Sequence, residues 1–140
     1  MYVFSIVLIV LSNVFYHICQ KLIPEKANPF SALVITYFTS AIFSLIALIF
    51  DKHGKGIFGS FKDLNWASVV LGISIVGLEF GFLMAYRAGW DISVGSLVAN
   101  IILAIVLIPI GIIFYKEGFG INKIIGAAFC IIGLILINRK

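Results

Sequence analysis

One acidic residue stands inside an apolar segment, and it is the strongest candidate for chemistry in this chain. Glu79 follows Ile73–Leu78, in which only Ser74 is polar, and it precedes the apolar or small residues Phe80–Tyr86. A carboxylate carried into hydrocarbon costs about 2.5–3.5 kcal/mol on insertion scales, so it is normally paired, protonated or facing water. Such a carboxyl can take up a proton and release it when water enters. Glu79 therefore predicts a proton or cation site.

Four more polar residues are predicted to lie at nearly the same depth in the membrane as Glu79. This follows if the apolar segments are helices that alternate in direction, with a rise of about 1.5 Å per residue. The four residues are Asn13, His17, Thr36 and Asn100. Asn13, His17 and Gln20 also share one helix face, since they follow i, i+4, i+7 spacing. Two interpretations stay open: structural hydrogen bonds between helices, each contributing under about 2 kcal/mol, or the lining of a wet cavity. Together with Glu79, the four are our candidate residues for binding a substrate or ion.

The composition determines which elements must position these residues. Of 140 residues, 62% are hydrophobic and 11% charged, against about 25% charged in soluble domains. A membrane-spanning helix needs roughly 20 residues. Four predicted spans are long enough, whereas the apolar part of the fifth, Ile124–Ile137, is short unless Lys123 reaches the interface. We predict an all-α membrane helix bundle forming a single domain over residues 1–140. Its predicted spans are about 2–23, 30–50, 66–88, 92–115 and 121–138.

The connections between the spans are short, which makes consecutive helices antiparallel neighbours. Asp63 and Asn65 are candidate N-caps for the third helix. With the N-terminus inside, the basic residues divide 5 against 5, so the bias that normally fixes orientation is absent. The inner set is Lys52, Lys55, Lys62, Lys116 and Lys123, and the outer set is Lys21, Lys26, Arg87, Arg139 and Lys140. Either a few positional effects decide the orientation, or the chain inserts both ways and two copies pair antiparallel.

Other functional classes find little support in the sequence. The net charge of +4 is scattered over helix ends and loops, so it does not predict a nucleic-acid partner. Cys19 and Cys130 lie within spans and lack metal-ligand spacing, and we expect no metal or cofactor. Residues 54–59 match G-x-G-x-x-G without the βαβ context that a nucleotide site needs. No nucleophile–base pair of an enzyme is visible, and the first segment lacks the features of a cleaved signal peptide.

The second half of the chain carries a pattern typical of one transporter family. Its parts are Ala85-Tyr86-Arg87-Ala88-Gly89, Ser93–Leu97, Glu117, Ile125-Gly126-Ala127 and Ile132-Gly133-Leu134. This pattern resembles the EamA-like domain of the drug/metabolite transporter superfamily. In that family a helix ends in an Ala-aromatic-basic turn, and a stretch of small residues opens the next helix. The stripe formed by Gly126, Cys130 and Gly133 is in addition expected to be a packing seam.

The resemblance implies a secondary transporter of a small organic solute or metabolite in the prokaryotic inner membrane. Most members carry two five-span repeats in opposite orientation, so a single repeat implies an antiparallel homodimer of ten helices. Transport would proceed by alternating access, with Glu79 as the proton or cation site. The alternative function is a non-transporting membrane subunit or assembly factor, in which Glu79 pairs with a basic residue of a larger membrane partner.

Overall fold

Long apolar runs fold as helices because in lipid every backbone polar group must find its partner within the segment. The computed structural model of the chain describes residues 2–50, 59, 61–62, 64–116, 118 and 120–138. The long helices within these residues are α1 Tyr2–Leu22, α2 Pro29–Phe50, α3 Trp66–Arg87, α4 Ile92–Tyr115 and α5 Ile121–Asn138. The predicted all-α fold is confirmed. Residues 54–58 of the glycine motif, Asp63 and Glu117 lie outside the described residues.

Four of these helices are long and apolar enough to cross a membrane. They are α1 to α4, with 21 to 24 residues each. Helix α5 has 18 residues, and its apolar stretch Ile125–Ile137 is shorter than the others. The chain is therefore a multi-pass membrane protein. The fifth segment, whose apolar stretch is short in the sequence, is also the helix that does not meet the length and hydropathy of a membrane span by itself.

Two helices begin at asparagine caps. The Asn28 side chain accepts a hydrogen bond of 2.9 Å from the Phe30 amide, and Pro29 occupies the first helical position, where a missing N–H costs nothing. At the start of α3, the Asn65 side chain accepts a bond of 3.0 Å from the Ala67 amide. The prediction of Asn65 as an N-cap is confirmed. These caps satisfy amides that the first helical turn leaves without a partner.

The chain divides into two units, of which the first is Met1–Ala88. In it both α1 and α2 pack against α3. Among its described residues the buried apolar side chains are Leu33, Leu83 and Tyr86, and Leu83 is only 1% exposed. Large apolar side chains such as Phe15 and Phe43 instead lie on the outside. This reversal of the soluble pattern suits a surface that meets lipid tails or another membrane protein.

The second unit, Gly89–Lys140, contains the packed pair α4 and α5. A groove of about 210 Å³ runs between the two helices. It is lined by Ile101, Ala104, Ile105, Ile108, Gly126, Ala127 and Cys130. Gly126 and Cys130 belong to the small-residue stripe that the sequence predicts as a seam. A Cβ added at Gly126 or Gly133 would meet no atom within 4 Å, so these glycines do not mark a close approach of the two backbones within this unit, and the seam stays a prediction.

Arg87, at the end of α3, connects that helix to the loop between α1 and α2. Its guanidinium donates hydrogen bonds to the carbonyl oxygens of Pro24, at 3.1 Å, and Ala27, at 2.8 Å. The C-terminal ends of α1 and α3 therefore lie together, as expected for helices that alternate in direction. The chain then turns at Gly89, whose φ of 94° lies in the left-handed region that favours glycine.

We expect Arg87→Gln to loosen the loop around Lys26 without unfolding the helices, because it removes the charged nitrogen that donates to two loop carbonyl groups. Tryptic cleavage after Lys26, followed by mass spectrometry of protein in detergent, should become several-fold faster. Lys62→Gln serves as the control, since Lys62 is an exposed basic residue outside this contact. Equal cleavage rates in the two variants would show that Arg87 does not order the loop.

Candidate functional site

The first unit brings polar side chains of three helices into one place between them. We call this group the polar cluster. It comprises Tyr16, His17 and Gln20 of α1, Tyr37 of α2, and Glu79 and Tyr86 of α3. The cluster includes the two buried polar residues His17 and Gln20 and extends over about two turns of α3, from Glu79 to Tyr86. Polar groups in such spans usually face a bundle interior or water.

Glu79 lies at the edge of the cluster and is partly buried. Its carboxyl lies near the Tyr37 hydroxyl on α2. That hydroxyl is buried and has no hydrogen-bond partner among the described residues. The carboxyl is therefore held opposite a neutral hydroxyl, which can donate to a carboxylate or accept from a carboxylic acid.

Gln20 connects α1 to the backbone of α3. Its side-chain nitrogen donates to the Tyr16 hydroxyl at 3.3 Å and to the backbone carbonyl of Glu79 at 3.4 Å. The residue is 6% exposed, and its oxygen Oε1 is buried without a hydrogen-bond partner among the described residues. Buried polar atoms of this kind are uncommon in folded proteins and each calls for an explanation.

His17 and Tyr86 form the second polar contact between α1 and α3. Histidine Nδ1 and the tyrosine hydroxyl share a hydrogen bond of 2.8 Å, and both residues are buried. The Phe82 ring packs edge-on against His17, at 4.8 Å between ring centroids. The Lys21 ammonium lies 5.7 Å from the centre of the Tyr86 ring, within the range of a cation–π contact. His17 is thus held in place by its surroundings.

We expect Tyr86→Phe to lower the free energy of unfolding by about 0.5–2 kcal/mol, because it leaves the buried His17 nitrogen without its partner. Reversible unfolding in mixed detergent micelles measures this loss. Tyr115→Phe is the matched control, since Tyr115 is 76% exposed at the end of α4. If the two variants unfold alike, the His17–Tyr86 bond contributes nothing measurable to stability.

Comparison with protein-family models matches the chain to the EamA-like transporter family over residues 1–139. The chain belongs to the EamA-like transporter family. No curated protein and no solved structure matches it significantly. The resemblance seen in residues 85–134 is thereby confirmed over nearly the whole length. Membership identifies this EamA-like protein as a membrane transporter of the drug/metabolite superfamily and leaves the substrate and mechanism to be inferred from its own residues.

The predicted site residues of this EamA-like protein have different surroundings. Glu79 and His17 belong to the polar cluster, whereas Asn13 is exposed one turn before His17 on α1. The Thr36 hydroxyl donates to the Ala32 carbonyl of its own helix at 3.0 Å. Asn100, in the second unit, is exposed and donates to the Ser96 carbonyl at 2.9 Å. Their roles in binding remain predictions.

Sequence reasoning missed three tyrosines of the EamA-like site, Tyr16, Tyr37 and Tyr86. Tyrosine in a span counts as apolar in a hydropathy sum, and Tyr86 lies at a helix end, where aromatic residues are typical of the membrane interface. The sequence did contain one indication of Tyr16: it is four residues from Gln20, so the two share a helix face next to His17. In the described part of the chain no three His, Cys, Asp or Glu side chains come together as metal ligands would.

Proposed function

We propose that this EamA-like protein is a secondary transporter of a small organic solute or metabolite. It works by alternating access, with Glu79 as the proton or cation site. All five helices cross the membrane, α5 with its ends in the interfacial region. The membrane is the prokaryotic inner membrane.

The observation that carries the proposal is the position of Glu79. It lies on an apolar spanning helix, is partly buried, and faces the hydroxyl of Tyr37. In these surroundings the neutral carboxylic acid is favoured when the site is dry and the carboxylate when water enters. Alternate exposure to the two sides of the membrane would then couple proton movement to solute movement.

A second copy of the chain completes the transporter in this proposal. Five helices make half of a ten-helix family transporter, and the 5 to 5 division of basic residues permits insertion in both orientations. Two antiparallel copies would place their polar clusters on either side of a central cavity, as inverted repeats do. Asn13, His17, Thr36 and Asn100 would supply hydrogen bonds to the solute in that cavity.

Cysteine accessibility tests whether these positions line a wet cavity. In a background with Cys19 and Cys130 replaced by alanine, single cysteines at Asn13, His17 and Asn100 should react with a small hydrophilic thiol reagent, and transported solute should slow the reaction. Cysteines at Leu8 and Val106 are matched controls, being 54% and 50% exposed on the same helices, and should stay inert in lipid. Equal inertness at all five positions would show a dry layer of structural hydrogen bonds.

A further inference from the structure

We infer that Gln20 is a positioning residue for Glu79: it holds the backbone of α3 at Glu79 against α1 and thereby determines where the Glu79 carboxyl lies. The inference rests on the proposed role of Glu79 and adds a second residue to it. The side-chain nitrogen of Gln20 donates to the backbone carbonyl of Glu79 at 3.4 Å. The two residues are 59 positions apart in the chain, so the bond joins two helices at the residue on which the proposed coupling depends.

The Glu79 carbonyl determines which way the Gln20 amide points. A carbonyl oxygen can only accept a hydrogen bond, so the atom of the amide that faces it must be the nitrogen. The Tyr16 hydroxyl, which the same nitrogen contacts at 3.3 Å, can donate or accept and would leave the orientation open. Tyr16 also lies on the same helix as Gln20. The contact with Glu79 is therefore the one that gives this side chain a fixed direction across the helix interface.

The remaining oxygen of Gln20 argues against a purely stabilising role. Oε1 is buried and has no hydrogen-bond partner among the described residues, and the residue is only 6% exposed. A buried amide oxygen without a donor is costly, because it has given up its bond to water. The bond made by the nitrogen is long and therefore weak. An apolar side chain of similar shape would stabilise the contact between α1 and α3 at least as well, but it could not bond to the Glu79 carbonyl.

The segment of α3 around Glu79 is one in which such a restraint matters. Gly77 and Gly81 flank the residue, and a Cβ added at either glycine would meet no atom within 4 Å. Within the described part of the chain these two positions therefore make no tight contact with another helix. Glycine also weakens a helix relative to alanine, because it has more conformational freedom to lose. A donor on the carbonyl between the two glycines restrains this segment at its middle.

The test follows the pH dependence of Glu79 itself, independently of transport. Dicyclohexylcarbodiimide modifies protonated carboxyl groups in apolar surroundings, and mass spectrometry of protein in nanodiscs measures the modified fraction of Glu79 over a series of pH values. Gln20→Met keeps the length of the side chain without the donor. In this variant we expect the pH of half-maximal modification to rise by about half a unit or more. The reason is that a released carboxyl lies nearer to lipid, where the uncharged acid is favoured.

Two further variants separate positioning from polarity and from general loosening. Gln20→Asn keeps the amide on a side chain too short to reach the Glu79 carbonyl, so it should show the same rise as Gln20→Met. Arg87→Gln removes the hydrogen bonds from the end of α3 to the Pro24 and Ala27 carbonyls and should leave the half-maximal pH unchanged. Gln20→Met should unfold no more easily than the unmodified protein, since it also removes the unpartnered oxygen.

An unchanged half-maximal pH in folded Gln20→Met and Gln20→Asn would overturn the inference. An equal rise in Arg87→Gln would overturn it as well, because any loosening of the unit would then suffice. So would modification of Glu79 that does not depend on pH in the unmodified protein, since Gln20 would have no titrating carboxyl to position.

The inference and the proposed function fail separately. A rise in both Gln20 variants, without solute-driven proton movement in liposomes, would retain the positioning role and reject transport. Transport that depends on Glu79, with both Gln20 variants behaving as the unmodified protein, would retain transport and reject the positioning role.

Discussion

Glu79→Gln is expected to reduce proton- or cation-coupled solute accumulation to the level of protein-free liposomes. The amide has nearly the shape of the carboxyl and carries no charge, so the helices should pack as before. The amide can neither take up nor release a proton, so solute movement should no longer be coupled to proton movement. The measurement is uptake of labelled solute into proteoliposomes against an imposed proton gradient, with circular dichroism and gel filtration to verify the fold.

The matched control is Glu25→Gln, which neutralises an exposed carboxylate in the loop between α1 and α2. It should transport as the unmodified protein does. Residual exchange in Glu79→Gln, with one solute molecule moving against another and no coupling to protons, would still agree with the proposed role. Full coupled accumulation in Glu79→Gln would remove Glu79 from the mechanism.

The second large effect is expected from fixing the orientation of the chain. Two lysines added at the N-terminus and two in residues 51–65 would give one side a clear excess of basic residues, and such an excess sets the orientation of short-loop membrane proteins. All copies should then insert one way, antiparallel pairs should not form, and transport should fall to background. Labelling of single cysteines from outside the cell reports the orientation, and solute uptake reports activity.

A complementary variant makes this test specific. Two lysines added to residues 21–29 and two to residues 87–91 should fix the opposite orientation. Each variant alone should be inactive, and co-expression of the two should restore uptake, because together they again provide both orientations. A single fixed orientation in the unmodified chain, or normal uptake by one fixed variant alone, would rule out the antiparallel homodimer.

The helices could be predicted closely because their limits follow from local chemistry. Pro29 and Asn65 determine where α2 and α3 begin, and the turn at Gly89 separates α3 from α4. Helix α5 was the uncertain segment in the sequence and is also the one whose apolar stretch is too short to count as a span by length alone. Its 18 residues correspond to roughly 27 Å of helix, close to the thickness of the hydrocarbon core.

The site was harder to predict, because depth along a helix says nothing about which neighbour its face meets. Asn13 and His17 share a face by spacing, yet His17 is buried against α3 and Asn13 is exposed. That difference depends on where α1 and α3 cross, which no local pattern encodes. Tyr37 escaped notice for another reason: its ring is as apolar as its neighbours, and only the three-dimensional structure shows its hydroxyl opposite Glu79.

Proton flux driven by solute in purified, reconstituted protein tests the central claim most directly. Proteoliposomes containing only this chain and a pH-sensitive dye inside are exposed to amino acids, amines and sugars in turn. The account predicts that at least one of these solutes changes the internal pH, and that Glu79→Gln abolishes the change while Glu25→Gln preserves it. If no solute moves protons or crosses the membrane faster than in empty liposomes, the chain does not transport by itself, and the alternative of a subunit for a larger membrane partner takes the place of the transporter.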